Sequence, residues 1–283
     1  MTAHQLKPVM PIAAPDIVAM SGVRFAWPSR DSFRMAIDDF TLANGERLLL
    51  IGPSGSGKST LLSLLAGIVT PQAGSITVLG TDIATLRGAA RDRFRGEHFG
   101  IIFQMFNLLP YGSVLDNVLL PLSFSAERRK RATRASSVPN ESERGSLSLL
   151  GRIFATQTGI HFAGKCSAQH SAEAEAARLL GKLGLEPSLI EGASAASLSV
   201  GQQQRVAAAR ALIGAPRIII ADEPTSALDR NRQEAFLDLL FAVVADAGAT
   251  LIMVSHDESL SARFSRVAAL ESVARIEGAG GQP

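Results

Sequence analysis

One cysteine (Cys166), one tryptophan (Trp27) and one tyrosine (Tyr111) occur in 283 residues. A single cysteine excludes an internal disulfide framework and suits a reducing compartment. Aromatic residues make up only 5% and charged residues 19%, against 46% hydrophobic residues. That apolar excess does not come from a membrane span. No run approaches the ~18 consecutive apolar residues that a spanning helix requires. It comes instead from short segments such as residues 218–220 and from many alanines. Net charge is only +2, so the total gives no argument for a nucleic-acid partner, and none is expected. Two stretches, 87–95 and 128–134, are rich in Arg and Lys and read as solvated helix faces. Residues 1–15 carry one Lys, one His and three prolines without a long apolar core, which is unlike a signal peptide. Loose tails are expected there and over 276–283.

What the chain has is enough length for a substantial core, and one stretch around which the rest is organised. Gly52, Pro53, Ser54, Gly55, Ser56, Gly57, Lys58, Ser59 and Thr60 match G-x-x-x-x-G-K-[ST] in full. A strand ending at residue 51 runs into it, and an apolar helical run over 61–66 follows. That strand–loop–helix order is the setting the motif requires. Glycines lack a Cβ, so the backbone wraps close to an anion, and the N–H groups at the start of the helix point at phosphate oxygens. Lys58 is placed to reach the β- and γ-phosphates, and Ser59 to put its hydroxyl on Mg²⁺.

Residues 16–50 alternate apolar and polar, and Asn44-Gly45 between 36–42 and 46–51 is a hairpin signal. A small antiparallel sheet leading into the phosphate loop is expected. Beyond the loop the pattern predicts strands at 75–79 and 99–103 and a helix over 82–94. Helices are also expected at 114–120 and 173–183. Between these last two periodicity fails, and a flexible surface insertion over about 125–171 is expected, with one short helix at 147–154. Regular structure returns with helices at 202–212 and 232–245 and strands at 217–221 and 250–255. Apolar strands alternating with helices indicate a parallel sheet covered on both faces.

The strand 218–221 ends in Asp222 and Glu223. A buried strand that delivers carboxylates at its C-terminal end is where an α/β sheet places ligand-binding groups. Asp222 is positioned for the Mg²⁺ shell, and Glu223 to orient or deprotonate an attacking water.

Leu198, Ser199, Val200, Gly201 and Gln202 then resemble the L-S-G-G-Q signature of ATP-binding cassette ATPases. The other elements of that family stand in its order: the phosphate loop, a lone Gln104 ending a strand, the signature, the acidic strand, Ser226 to Asp229, and His256 after a strand. The resemblance covers residues 16–275. It implies an α/β fold with a P-loop NTPase (RecA-like) core and parallel sheet, an N-terminal antiparallel β subdomain over 16–50, and a helical subdomain. The core would comprise 46–103 and 205–275, and the helical subdomain 104–204. It also implies ATP and Mg²⁺ as cofactors and ATP hydrolysis as the activity. A head-to-tail homodimer would sandwich two ATPs, with Ser199, Gly201 and Gln202 of one subunit closing on the γ-phosphate held by the other. Gln104 resembles the residue that touches Mg²⁺ and relays to a membrane partner. His256 resembles the switch at the γ-phosphate, and Asp229 a dimer contact. In the family an aromatic upstream of the loop stacks on adenine. Trp27 fits that place, with Phe25 on the same strand face as the alternative.

The signature departs from the pattern at Val200, where the family has glycine; β-branched residues disfavour positive φ. With Ser199 and Gly201 present, an intact loop and retained hydrolysis are expected. Residues 99–122 look like the lipoprotein-releasing and macrolide-exporter group. That implies an ATPase subunit, peripheral on the cytoplasmic face of the inner membrane, driving separate integral membrane permease subunits docked at about 104–118. The competing reading is a soluble ATPase of this type acting in translation or DNA repair. A translation-factor relative would carry two cassettes, and a chromosome-maintenance relative long heptad arms; a non-hydrolysing scaffold would lack Glu223 or His256.

Overall fold

The chain opens with β1 (Asp16–Ala26), β2 (Arg34–Ala43) and β3 (Arg47–Ile51). Then come α1 (Lys58–Leu65), β4 (Ala73–Val78), β5 (Thr81–Asp82), α2 (Ala89–His98) and β6 (Phe99–Ile102). The helices α3 (Val114–Phe124), α4 (Ala126–Ala135), α5 (Lys165–Lys182), α6 (Pro187–Ile190) and α7 (Val200–Leu212) follow. The last part holds β7 (Ile218–Asp222), α8 (Arg230–Asp246), β8 (Thr250–Ser255), β9 (Arg266–Ala269), α9 (Leu270–Val273) and β10 (Arg275–Glu277). This computed structural model describes residues 16–28, 33–135, 165–190 and 192–277. The tail expected over 1–15, residues 278–283 of the tail expected over 276–283, the short helix expected at 147–154, and most of the expected insertion lie outside those residues. Ile276 and Glu277, expected in the tail, belong instead to β10, which pairs with β2.

Two sheets form. One is parallel, in the order β6-β7-β8-β3-β9. The other is antiparallel, in the order β10-β2-β1-β4-β5. Period-two alternation divides the parallel strands between two cores. Leu48, Leu50, Ile218, Ile220, Ile252 and Val254 face a core shared with α1 and the antiparallel sheet. Leu49, Ile219, Ala221, Leu251 and Met253 face the other, shared with α3, α5, α7 and α8. Both faces are covered, which is why these strands read as continuous apolar runs. The fold is the α/β architecture anticipated.

Several local readings are corrected. The hairpin expected at Asn44-Gly45 does not form: a tight turn is present, with Glu46 N–H donating to Ala43 O at 3.2 Å, but β2 and β3 belong to different sheets. The reason is periodicity. β2 alternates, whereas Leu48, Leu49 and Leu50 are all buried, a pattern only the sheet covered on both sides accommodates. Likewise β4 and β5, expected with the core, belong to the antiparallel sheet, where β4 pairs with β1 and β5 with β4. The helix expected over 82–94 starts only at Ala89. Asp82 accepts from its neighbour Ala84 N at 3.0 Å, a local alternative to helix, and Gly88 has positive φ.

The basic stretch 87–95 is a solvated face, since α2 buries none of its residues. The stretch 128–134 is solvated only in part: Arg129, Lys130 and Arg134 are exposed, but Arg128 is not. Residues 126–135, expected in the flexible insertion, form α4, and Arg128 is 2% exposed. Its guanidinium donates to Phe99 O at 3.1 Å, Ala211 O at 2.9 Å and Ile213 O at 2.9 Å. Arg131 donates to Gly214 O at 2.8 Å and Glu97 O at 2.9 Å. Both arginines therefore satisfy carbonyls at or just past the C-terminal end of α7, where a helix leaves acceptors without partners and favours cations. Burial pushes Arg128 down to about 9, which leaves it charged at neutral pH.

Candidate functional site

Four neighbouring parallel strands, β6, β7, β8 and β3, run the same way. The residues just past their C-terminal ends therefore share one edge. Those residues are Gln104 after β6, Asp222 and Glu223 at the end of β7, His256 after β8, and the Gly52–Thr60 loop after β3. Such an edge is the ligand-binding place of an open α/β sheet.

The loop turns through Gly55 and Gly57, at φ 77° and 99°. Gly57 caps α1, and a Cβ there would approach Ile276, Met35 and Phe33 within 3.0–3.1 Å. The antiparallel sheet thus braces the loop from behind, and glycine is required both by φ and by space. Lys58 is buried, with Nζ donating to Gly52 O and Pro53 O at 2.8 Å each and lying 3.7 Å from Glu223 Oε1. The ammonium is folded onto its own loop, at the mouth of the N–H cradle. Ser56 Oγ is buried there with no hydrogen-bond partner among the described residues. Pro53, Ser54 and Gly55 are exposed.

Ser59 Oγ donates to Asp222 Oδ2 at 2.9 Å. Burial raises Asp222 above the usual carboxylate range; the Ser59 hydrogen bond opposes this and the Glu223 carboxylate adds to it. Glu223 Oε2 lies 3.6 Å from His256 Nδ1, and His256 is itself exposed. Glu223 stands in the left-handed region at φ 44°, held by its N–H donating to Val254 O at 3.1 Å. Beside it is a polar cavity of about 160 Å³ lined by Glu223, Ser226, Gln233, Ser255 and His256.

Trp27 Nε1 donates to Thr60 Oγ1 at 3.3 Å, and its ring packs edge-on to Phe25. Phe25 is buried in the core, whereas Trp27 is half-buried and borders the loop. Gln104 is exposed.

Ser199, Gly201 and Gln202 stand at the start of α7. No hydrogen bond or ion pair joins them to the Lys58 cluster among the described residues. Ser199 caps the helix: its Oγ accepts from Gln202 N–H at 3.4 Å and its N–H donates to Gln202 Oε1 at 2.8 Å. Val200 is the first helical residue, 48% exposed and without positive φ. The backbone there is ordinary, so the missing glycine leaves the loop's shape intact. Asp229 is exposed and caps α8, accepting from Arg232 N–H at 3.1 Å.

Residues that sequence reasoning missed hold these loops in place. Gln204 is fully buried, and its Nε2 donates to Pro224 O at 2.6 Å. Arg210 donates to Asn107 O at 2.7 Å and to Phe106 O; burial lowers its pKa. Buried Asn117 accepts from Leu109 N–H at 2.7 Å. One signal was available: Gln204 is a polar residue in register with the buried Ala207, Ala208 and Ala211.

The described residues contain no cluster of three or more His, Cys, Asp or Glu fit to hold a metal. The donors at the site are one hydroxyl and one elevated carboxylate. That set suits Mg²⁺, which is commonly held through one or two carboxylates together with substrate phosphates. No helix among the described residues is long and apolar enough to cross a membrane.

Comparison with known proteins agrees with this arrangement. The ABC transporter family matches residues 36–226. The lipoprotein-releasing system ATP-binding protein LolD 1 of Caulobacter vibrioides is 35% identical over 81% of this chain and 80% of its own length. The macrolide export ATP-binding/permease protein MacB of Rhodopseudomonas palustris is 34% identical over 88% of this chain. The chain spans only 32% of that longer relative. Among solved structures, the dimeric post-hydrolysis state of the ATP-binding cassette MJ0796 bound to ADP and Pi superposes with a TM-score of 0.65. It shares 28% identity and covers 94% of this chain and 100% of its own. The chain belongs to the ABC transporter family and is one of its nucleotide-binding ATPases.

Proposed function

We propose that this chain is the ATP-hydrolysing subunit of a membrane transport system of the lipoprotein-releasing or macrolide-export type. It works as a head-to-tail homodimer beneath separate integral membrane permease subunits, peripheral on the cytoplasmic face of the inner membrane. The observation that carries this reading is the division of the phosphate-binding parts. Lys58, Ser59, Asp222, Glu223 and His256 gather at one sheet edge. The second anion-binding feature, the N-terminus of α7 at Ser199 and Gly201, shares no hydrogen bond or ion pair with them among the described residues. It has no phosphate to meet within its own chain, and a two-fold partner supplies one.

In this reading Mg²⁺, when bound, screens phosphate charge and is held by Ser59 and Asp222, with Gln104 completing its surroundings. Lys58 leaves the carbonyls of Gly52 and Pro53 for the β- and γ-phosphates. The N–H groups of residues 55–60 surround those phosphates. Trp27 lies against the adenine ring, with its indole N–H anchored on Thr60. Glu223 orients the attacking water and accepts its proton. His256, within reach of the same carboxylate, contacts the γ-phosphate. Asp229 contributes to the subunit contact. The segment after Gln104 exposes Met105 and Tyr111, 79% and 83% accessible; exposed apolar side chains of this kind suit docking to a permease.

The test is Glu223→Gln. ATP is expected to bind, turnover to collapse, and an ATP-trapped dimer to appear by light scattering. Unchanged turnover removes Glu223 from its role.

A further inference from the structure

Among the described residues only five non-glycine positions have positive φ, and three of them flank the nucleotide edge: Glu223 at 44°, Phe106 at 58° and Asn107 at 49°. L-residues reach this region at a penalty and stay there only when their surroundings hold them. Both strained stretches are held by buried polar side chains of one element, the signature helix α7. Gln204, fully buried, donates to Pro224 O at 2.6 Å, one residue beyond Glu223. Arg210 donates to the carbonyls of both Phe106 and Asn107, in the loop that begins at Gln104.

The amide orientation of Gln204 is dictated by chemistry, since Pro224 O only accepts. Its Oε1 is consequently left buried with no donor among the described residues. Buried polar groups are nearly always paired. The one hydrogen bond this buried amide makes among the described residues is the one from its nitrogen to Pro224 O. Arg210 likewise makes a two-pronged contact, which suits the planar guanidinium and which a lysine cannot reproduce.

We infer that Gln204 and Arg210 are positioning residues that tie the signature helix of each subunit to that subunit's own Glu223 and Gln104 loops. This rests on the dimer reading above. The N-terminus of α7 faces nucleotide held by the partner, while its buried face holds the loops that act on the subunit's own nucleotide. A displacement of α7 when the partner's site closes is therefore carried through two hydrogen-bonded contacts to the strained loops of the other site. The two sites are coupled through one rigid helix, and the coupling is reciprocal because each subunit supplies one such helix.

The experiment compares the full-length protein with Gln204→Met and Arg210→Lys, measuring ATPase rate against ATP concentration and thermal unfolding. Met keeps the length of Gln and removes the amide; Lys keeps the charge and reaches one carbonyl. For each, kcat is expected to fall about ten-fold with KM for ATP within about two-fold of wild type. The Hill coefficient is expected to drop toward one. In a Glu223→Gln background, Gln204→Met should still form the ATP-trapped dimer. Should Gln204→Met fail to fold, Arg210→Lys carries the test. Lowered melting temperature with unaltered kcat and Hill coefficient makes both residues structural bolts and overturns the coupling. Failure of Glu223→Gln alone to trap a dimer overturns the dimer reading and the coupling with it. A normal trapped dimer alongside fully active, cooperative Gln204→Met and Arg210→Lys overturns the coupling alone.

Discussion

Ser59 Oγ donates to Asp222 Oδ2 across 2.9 Å, joining the first turn of α1 to the end of β7. This bond brings together the hydroxyl and the carboxylate that suit a magnesium ion. It also marks a place where the nucleotide-free fold carries a penalty. Asp222 is raised above its ordinary value by burial, the Ser59 bond only partly offsets this, and Glu223 adds to it. The folded chain therefore holds this proton more tightly than the unfolded chain. By linkage, the destabilisation is absent below the unfolded carboxylate pKa and grows as pH rises through the window up to the raised folded value. Asp222→Asn keeps an acceptor for Ser59 and removes the charge. Without nucleotide at neutral pH it should melt higher than wild type, with the gap closing under acid. It should also lose the added stabilisation by ATP with Mg²⁺. A scan of melting temperature against pH, with and without ATP and Mg²⁺, measures both. A lower neutral melting point, or full Mg²⁺-dependent stabilisation, contradicts the assignment.

Val200 stands where the family signature has glycine, yet it is simply the first residue of α7, exposed and with ordinary φ. Val200→Gly should therefore change ATPase activity by less than about two-fold, while helix stability falls by up to about 1 kcal/mol. Steady-state turnover and urea unfolding measure the two quantities. An inactive wild type rescued by Val200→Gly would show that the valine disables the loop.

What was legible in the sequence was local. The phosphate loop carries its own geometry in Gly55 and Gly57, and α1 follows at the position the motif dictates. The strands β7 and β8 were legible because both faces are buried and the residues are apolar throughout. Sheet membership was not legible, because it depends on partners distant in the chain. β3 pairs with β8 and β9 rather than with the neighbouring β2. β10 packs Ile276 against Gly57 from the far end of the chain. The burial of Arg128 was illegible for the same reason: Ile213 O, which it satisfies, lies 85 positions away. A run of arginines looks alike in sequence whether water or helix carbonyls receive the donors.

That burial gives a stability prediction. Arg128→Met removes donors from Phe99 O, Ala211 O and Ile213 O inside the protein. Unpaired buried acceptors are penalised individually, so a loss of about 3 kcal/mol is expected. Arg128→Lys, with fewer and less directed donors, should recover only part of it. Denaturant unfolding distinguishes this from the solvated-face alternative, under which Arg128→Met would lie within about 0.5 kcal/mol of wild type.

The last prediction concerns the membrane. Met105 and Tyr111 lie in the segment between Gln104 and α3 and are among the most exposed large apolar side chains described. Their loop is not loose. Asn117 bonds both the N–H and the carbonyl of Leu109, at 2.7 and 3.1 Å, and Arg210 holds Asn107. A rigid loop that presents apolar side chains to solvent is suited to a preformed contact, because little ordering entropy opposes binding. The double substitution Met105→Glu and Tyr111→Glu introduces two charges that would need desolvation at such a contact. It should abolish co-purification with permease subunits from native membranes, while the melting temperature stays within about 2 °C of wild type, since neither side chain contributes to the core. Undiminished co-purification would move the docking surface away from residues 104–118.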